Sequence, residues 1–309
     1  PLRLPLDRPR GASPSFAGRV LRARLDPGLG ELCAAAEARH GLSLNMLGLA
    51  AYALLLAKSS GQADLVVGLP VSGRPHAALQ DTLGMFVDTL ALRLRPAAGQ
   101  TVAAYLQDVR TTLLQALDHA DYPFDELVAR LGLPRDPARP PLFDTLFATQ
   151  DFGGYELSCP GLRIRALAPE TTTARLALTW LVAPRPDGLQ LQVEYGTTLF
   201  DEGTIRGLVA GFEALLRALA TQPDRRLGEL AASVGPPGPT SVEPPGASSA
   251  APVGPPAASS SRAPARPRPR VWPWPRRPRG DTAAALLPIW REVLRDDALG
   301  PDTDFFDAG

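Results

Sequence analysis

The 309-residue sequence has only two cysteines, Cys33 and Cys159, and neither has a ligand-like neighbour. So few thiols exclude a disulfide framework and a zinc site, and they are typical of a reducing compartment. Neither sign of charge is in excess, because 32 basic side chains balance 32 acidic ones, and Lys58 is the only lysine. The overall charge therefore favours neither a nucleic acid nor a membrane nor an acidic partner.

Long apolar runs and the common catalytic motifs are also missing. No run is long enough to cross a bilayer, and the first residues lack the segments and cleavage pattern of a signal peptide, so we expect a cytoplasmic protein. The sequence contains no phosphate loop, dinucleotide fingerprint, metal-ligand spacing or Gly-x-Ser-x-Gly elbow. It therefore offers no nucleophile with an identifiable base.

Histidines are few, and only one is a candidate for acid–base chemistry. His119 lies between Asp118 and Asp121, which would favour its charged form. The alternative is a histidine that ends a helix and bonds its last carbonyls before a proline turn, and we favour this interpretation. His40, at a predicted helix end, and His76, in a predicted loop, are not candidates.

With 309 residues and 45% apolar content, the chain is long enough for one large domain or two small ones. The order of a buried helix and then a buried strand predicts α/β layering. Asp26, Ser43, Thr101 and Asp201 are predicted helix N-caps, and residues 186–188 form a predicted hairpin turn. The predicted strands are 18–25, 64–71, 83–95, 142–150, 162–167, 176–182 and 189–195, and the predicted helices are 27–40, 44–60, 102–118, 125–131 and 202–220. The globular part is expected to end near Ala232.

The central stretch of the prediction is residues 83–95. Its apolar residues partly alternate, which predicts a buried strand, and Gly84 would let the backbone pass another group closely. Asp88, Thr89 and Arg93 interrupt this pattern. Buried polar groups are costly unless each has a partner or faces a channel, so these residues are the first candidates for function.

Three ordered motifs resemble signatures of the condensation domains of nonribosomal peptide synthetases. They are Gly84-x-Phe86-Val87-Asp88-Thr89-x-x-x-Arg93, His119-x-Asp121-Tyr122-Pro123-Phe124-Asp125 and Arg135-Asp136-Pro137-Ala138-Arg139-Pro140-Pro141-Leu142. One such motif would be a weak signal, whereas three in order are a strong one. The resemblance extends from residues 4–10, similar to the family's inter-lobe segment, to residues 194–201 and the helix that follows.

This resemblance implies a chloramphenicol-acetyltransferase-like C-terminal lobe, a mixed sheet with helices, over residues 18–232, preceded by an inter-lobe segment at 1–17. The family forms amide bonds between carrier-tethered acyl or aminoacyl thioesters. Its catalytic His-His-x-x-x-Asp-Gly motif lies on the N-terminal lobe and does not occur in this sequence. We therefore expect no catalytic residue and no metal or cofactor ligand here, and no turnover by this chain alone.

The resemblance also implies site residues. Gly84, Phe86, Asp88 and Arg93 would line or shape the tunnel floor; Asp121, Pro123 and Phe124 would position the helix beside it; and Arg135, Asp136 and Arg139 would brace the two lobes or meet a carrier domain. A satisfied ion pair within the lobe is the alternative for each polar residue. The sequence departs from the family at Asp88, usually Asn, at Ala138, usually Ser, and at Ala177, usually Asp.

Beyond the lobe, residues 233–280 are rich in Pro, Ala and Arg, which predicts a disordered to semi-rigid linker. Its basic part, 262–279, also carries two tryptophans, but we favour a solubilising tether over a nucleic-acid contact. Residues 281–309 resemble the start of a peptidyl carrier domain, a short helical tail with Leu287, Ile289 and Trp290 before Asp304-Phe-Phe-Asp-x-Gly309. The phosphopantetheine serine would follow Gly309, so we expect no labelling by a phosphopantetheinyl transferase.

The expected partners are carrier domains, which bear phosphopantetheine, and an N-terminal condensation lobe; a membrane and a nucleic acid are not expected. Two other functions stay open. The chain could be a non-catalytic docking module for a carrier domain or a separate N-terminal lobe, or a coenzyme A-dependent acyltransferase of the same fold. The second is disfavoured because no His-x-x-x-Asp pattern occurs. A gene fragment truncated at both ends is the most economical explanation of the sequence.

Overall fold

A computed structural model describes residues 2–74, 79, 82–134, 136–150, 156–159, 162–165, 171–185 and 187–235. Arg135, His76, Pro186 and the predicted linker and carrier-like tail beyond residue 235 lie outside the described residues. The helices and strands in chain order are β1 Gly18–Arg24, α1 Gly28–His40, α2 Leu44–Ser60, β2 Leu65–Val71, β3 Asp88–Leu94, α3 Val102–Asp118, α4 Phe124–Leu131, β4 Thr145–Thr149, β5 Glu156–Cys159, β6 Leu162–Arg165, β7 Leu178–Arg185, β8 Gly188–Gly196, α5 Glu202–Thr221 and α6 Leu227–Ser233.

The ends of several helices follow their predicted capping residues. The hydroxyls of Ser43 and Thr101 accept hydrogen bonds from the third backbone N–H of α2 and α3. Gly61 ends α2 with a left-handed φ of 67°. The prediction for α1 is off by one residue: Pro27 is its N-cap, and the Asp26 carboxylate accepts a hydrogen bond from the N–H of Gly28, the first helical residue. Asp201 is the N-cap of α5, as predicted, although its side chain makes no capping bond there. The Asp201 carboxylate instead accepts a hydrogen bond from Arg8.

The strands form a mixed sheet of six in the order β1-β8-β7-β4-β2-β3, and β5 and β6 form a separate antiparallel pair. The pairs β2–β4 and β4–β7 are parallel, and the other neighbours in the larger sheet are antiparallel. This arrangement confirms the predicted mixed α/β fold.

Among the described residues no single helix is long and apolar enough to cross a bilayer; α1 and α2 reach that length and apolarity only as a pair bent by 106°.

An aromatic cluster joins the helices to the sheet. The ring of Trp180 on β7 lies 5.1 Å from that of Tyr52 on α2 and 5.5 Å from that of Phe212 on α5, measured between centroids. The ring of Phe147 on β4 also stacks with that of Tyr52, with centroids 5.6 Å apart. The ten buried residues of α2, positions 47–56, confirm the prediction that this helix is covered on most sides.

The predicted strand at 83–95 is wrong in its first half, because β3 begins at Asp88. The β2–β3 ladder ends at the pair Val71 and Asp88, so residues 82–87 have no strand to pair with. Leu83 is 99% exposed, Met85 94% and Val87 62%. Moreover, β3 is an edge strand. The apolar composition of residues 83–87 therefore does not reflect burial within the lobe, whereas Leu90, Leu92 and Leu94 on β3 are buried.

Residues 223–235 form a C-terminal strap, for which the sequence predicted no helix although it placed the end of the globular part near Ala232. Its backbone bonds the segment before α3, with the N–H of Leu227 donating to the Gln100 carbonyl at 2.9 Å. At the end of the strap, the ammonium of Lys58 donates to the carbonyls of Val234 and Gly235. The only lysine of the chain thus joins α2 to the residues that follow α6.

We expect Lys58→Met to loosen this strap. A hydrogen bond from a charged donor contributes about 1–2 kcal/mol, so the amides of α6 should exchange with solvent about tenfold faster. Hydrogen–deuterium exchange of residues 227–235 measures this change, and Lys58→Arg, which keeps a charged donor, is the control. Equal exchange in Lys58→Met and the parent chain would show that packing alone holds the strap.

Candidate functional site

The residues of the first motif lie around the start of β3. Gly84 has a φ of 157°, and the ring of Phe86 lies under the guanidinium of Arg74, 4.3 Å from the ring centroid. Asp88 opens the strand, and its carboxylate accepts a hydrogen bond from the backbone N–H of Thr89 at 2.6 Å. The structure thus brings Gly84, Phe86 and Asp88 together at one edge of the sheet.

Arg93, the last residue of this motif, is paired within the lobe. Its Nε and Nη2 donate to the two carboxylate oxygens of Asp64 at 2.8 and 2.7 Å, and Arg95 donates to the same carboxylate at 3.3 Å. A pocket of about 260 Å³ opens beside these arginines, between β3 and α3. The bidentate hydrogen bond from Arg93, followed by the charges of Arg93 and Arg95, lowers the pKa of Asp64 to about 2.

We expect Arg93→Ala to raise the pKa of Asp64 from about 2 towards its usual value, because it removes the largest cause of the shift. Because folding lowers the pKa of Asp64, its ion pair contributes fully to stability above the usual carboxyl pKa. This contribution is lost as the pH falls through about 2 and the carboxylate is protonated. Carbon-13 NMR titration of the carboxylate measures the midpoint. Arg95→Ala is the matched variant, and a larger shift there than in Arg93→Ala would contradict the assignment.

The second motif forms the turn from α3 into α4. His119 is the C-cap of α3, and its backbone N–H donates to carbonyls of the last helical turn, as the helix-ending interpretation predicted. Asp121 and Pro123 are exposed, and Pro123 is the N-cap of α4. The ring of Phe124 contacts that of Phe143 with centroids 5.4 Å apart. This contact attaches α4 to the segment that enters β4.

The third motif contributes to a buried charge cluster, which we call the Asp144 cluster: Asp144, Arg139 and Arg10. Asp144 is only 3% exposed and accepts hydrogen bonds from Nε and Nη2 of Arg139. Arg10 lies 3.1 Å from the same carboxylate, and Arg139 also donates to the carbonyl of Leu2 at 2.7 Å. The cluster therefore fixes the segment before β1 against the segment before β4.

Burial lowers the pKa of Arg10. The nearby Asp144 carboxylate acts in the opposite direction and raises this pKa, whereas the positive charge of Arg139 lowers it further. Sequence reasoning found Arg139 but missed Asp144 and Arg10. Asp144 could have been found from the sequence, because an acidic residue at the start of a predicted apolar strand needs a partner.

Asp136, from the third motif, is exposed and accepts a hydrogen bond from the backbone N–H of Ala138.

Exposed apolar side chains are concentrated in one part of the sequence, in elements that adjoin β3. Of nine large hydrophobic residues exposed among the described residues, eight lie between positions 83 and 133. They belong to the loop before β3, to α3, and to α4 with its flanking turns, and both helices pack against β3. We call this set the apolar face; its members are Leu83, Met85, Val87, Leu114, Leu117, Tyr122, Leu131 and Leu133.

The described residues contain no group of His, Cys, Asp and Glu side chains that could hold a metal ion. The mixed sheet and its helices form an α/β lobe of the type found in condensation domains. It is similar to a four-domain nonribosomal peptide synthetase bound to AMP and glycine, with a TM-score of 0.68 and 25% identity over 74% of this chain and 18% of that one. It is also similar to the X-domain solved in complex with OxyB from teicoplanin biosynthesis, with a TM-score of 0.66 and 26% identity over 74% of this chain and 50% of that one.

The family described as "Condensation domain" matches residues 1–233, and the chain belongs to this family of nonribosomal peptide synthetase domains. It is 40% identical to tyrocidine synthase 2 of Brevibacillus parabrevis and 36% identical to bacitracin synthase 3 of Bacillus licheniformis, in each case over 229 residues and 74% of this chain. The chain spans only 6% and 4% of those two proteins.

Proposed function

We propose that this lobe forms one wall of a site for amide bond formation between carrier-tethered acyl or aminoacyl thioesters. In this reaction the acceptor amine attacks the thioester carbonyl, a C–N bond forms, the C–S bond breaks, and the pantetheine thiol leaves with a proton. The second wall is an N-terminal condensation lobe that carries the His-His-x-x-x-Asp-Gly motif. The phosphopantetheine arms arrive on the carrier domains, as parts of the substrates.

The apolar face is the observation that supports this proposal. Monomeric proteins rarely leave large contiguous apolar patches in water, and such patches mark surfaces for a partner. Leu83 and Met85 are almost fully exposed, and they lie close in sequence to Phe86 and Asp88, which the resemblance predicts to line the tunnel. A second lobe would cover these side chains and complete the site beside β3.

The polar candidates act as supports within this proposal. Arg93 is bound to Asp64 and Arg139 to Asp144, so each guanidinium already has a carboxylate of the same lobe. Proton transfer would therefore depend on the imidazole of the other lobe. Loss of a positioned general base costs about 10²- to 10⁴-fold in rate.

Reconstitution tests the proposal. The chain is mixed with a separately produced N-terminal condensation lobe and with aminoacyl and peptidyl carrier thioesters, and the amide product is measured by mass spectrometry. We expect no product from the chain alone, product from the two lobes together, and loss of product when the second His of the N-terminal motif is replaced by Ala. Amide formation by this chain alone would overturn the proposal.

The pairing of both arginines favours a second candidate, a docking module without a catalytic role. Such a module would bind a carrier domain or an N-terminal lobe through the apolar face. The reconstitution separates the two candidates, because a docking module would form a complex that yields no amide.

A further inference from the structure

The loop between β2 and β3 folds back on itself directly after the strands part. Gly73 has a φ of 56°, and a Cβ atom at this position would overlap the carbonyl oxygen of Phe86. The chain therefore approaches itself at Gly73 and Phe86, two residues beyond the last ladder pair of Val71 and Asp88. Only a glycine fits this approach, because any side chain would push the two arms of the loop apart.

Arg74 closes this loop through contacts on both of its arms. Its Nη1 donates to the carbonyl of Leu79, and its Nη2 donates to the carbonyl of Gly84 at 3.4 Å. Its guanidinium carbon lies over the ring of Phe86, 4.3 Å from the ring centroid. A guanidinium can donate in two directions and stack at the same time, which the compact ammonium of lysine cannot do.

The neighbours of this contact are the most exposed apolar residues of the loop. Leu83, Met85 and Val87 lie on either side of Gly84 and Phe86, and they point into solvent. A free loop with this composition would lower its free energy by turning these side chains inward. The half-buried Arg74 and Phe86 occupy the inner side of the loop instead.

We infer that Arg74 is a positioning residue: it holds residues 82–87 in the conformation that presents Leu83, Met85 and Val87 to the apolar surface of a second lobe. This inference rests on the proposed function, which supplies the partner. It makes Arg74, which lies outside the three sequence motifs, a determinant of how the two lobes meet. The role needs the forked guanidinium, so a positive charge alone does not replace it.

Backbone order in the loop provides the first test. In Arg74→Ala we expect the nitrogen-15 order parameters of residues 82–87 to fall below about 0.6, while those of β2 stay near about 0.85. Arg74→Lys should give an intermediate loss, and Phe86→Leu should reproduce much of the effect without changing any charge. Arg39→Ala, an exposed arginine on α1, is the control. Unchanged order parameters in Arg74→Ala would overturn the inference.

Docking provides the second test, and the chain offers a convenient probe because it contains only two methionines, Met46 and Met85. Carbon-13 methyl spectra with a separate N-terminal lobe should shift the Met85 signal and leave that of Met46, on α2, in place. We expect the dissociation constant to rise about tenfold in Arg74→Ala and less in Arg74→Lys.

The two tests fail in distinguishable ways. If the parent chain does not bind the N-terminal lobe, the proposed function and the docking role of Arg74 both fall, whereas the order parameters still decide whether Arg74 holds the loop. If the lobe binds the parent chain and Arg74→Ala equally well while the loop is disordered in the variant, Arg74 is not a positioning residue for docking.

Discussion

We expect Asp144→Ala to lower the free energy of unfolding by about 3–5 kcal/mol, because it leaves two partly buried guanidinium groups without their shared carboxylate. The side chains of Arg10 and Arg139 are 19% and 17% exposed, so water can solvate them only in part. Their positive charges would then repel each other. The carbonyl of Leu2 would keep one hydrogen bond from Arg139 but could not neutralise its charge.

The chain contains a matched control for this substitution. Asp64 also binds two arginines, Arg93 and Arg95, but all three side chains are about half exposed or more. Solvent screens such pairs, and exposed ion pairs contribute little to stability, so Asp64→Ala should have a far smaller effect. Urea unfolding followed by circular dichroism measures both variants. Similar losses in the two variants would show that burial does not set the strength of the Asp144 cluster.

Asp144→Asn separates charge from shape in the same cluster. The amide keeps the size of the side chain and one acceptor oxygen but removes the negative charge. We expect a loss of stability close to that of alanine, because the uncompensated charges of Arg10 and Arg139 dominate the cost. A nearly neutral Asn variant would mean that hydrogen bonding alone holds the segment before β1.

The local parts of the fold were predictable because they depend on neighbouring residues. The caps at Ser43 and Thr101 and the stop at Gly61 each act within one helical turn, and the structure has all three. Asp26 lies one residue before the N-cap, Pro27, yet its carboxylate still accepts a hydrogen bond from the N–H of Gly28, the first residue of α1. The terminal hydrogen bonds of a helix thus have more than one local solution.

The loop at 82–87 was mispredicted for a different reason. Leu83, Phe86 and Val87 are as apolar as the residues of a buried strand. Hydrophobic patterning does not distinguish residues that pack inside the lobe from residues that pack against a partner protein. The deciding fact is the end of the β2 ladder at Val71, which is a property of the sheet.

Partners across long sequence separations could not be read from the motifs. Arg139 was identified as a candidate, but its carboxylate is shared with Arg10, and the connection depends on how the segment before β1 returns to β4. Arg74 is similar, since its role depends on the fold of the loop that follows it. A motif gives the residue type at a position, and the packing gives its partner.

Trp180→Ala is the substitution of an uncharged residue from which we expect the largest loss, about 3–5 kcal/mol in the free energy of unfolding. Trp180 is fully buried and contacts Tyr52 and Phe212, so its removal leaves a cavity between the sheet and two helices. Denaturation followed by circular dichroism is the appropriate measurement, since Trp180 is the only tryptophan among the described residues and its fluorescence is lost.

Trp180→Phe should cost much less, below about 1.5 kcal/mol, for a reason specific to this site. The indole N–H of Trp180 is buried and has no acceptor among the described residues, so the parent chain carries the penalty of an unsatisfied donor. Phenylalanine loses volume but also removes that donor, and it can keep the stacking on Tyr52. A Phe variant as unstable as the Ala variant would show that the N–H has a partner in solution, and that this hydrogen bond, more than the ring contacts, attaches β7 to the helices.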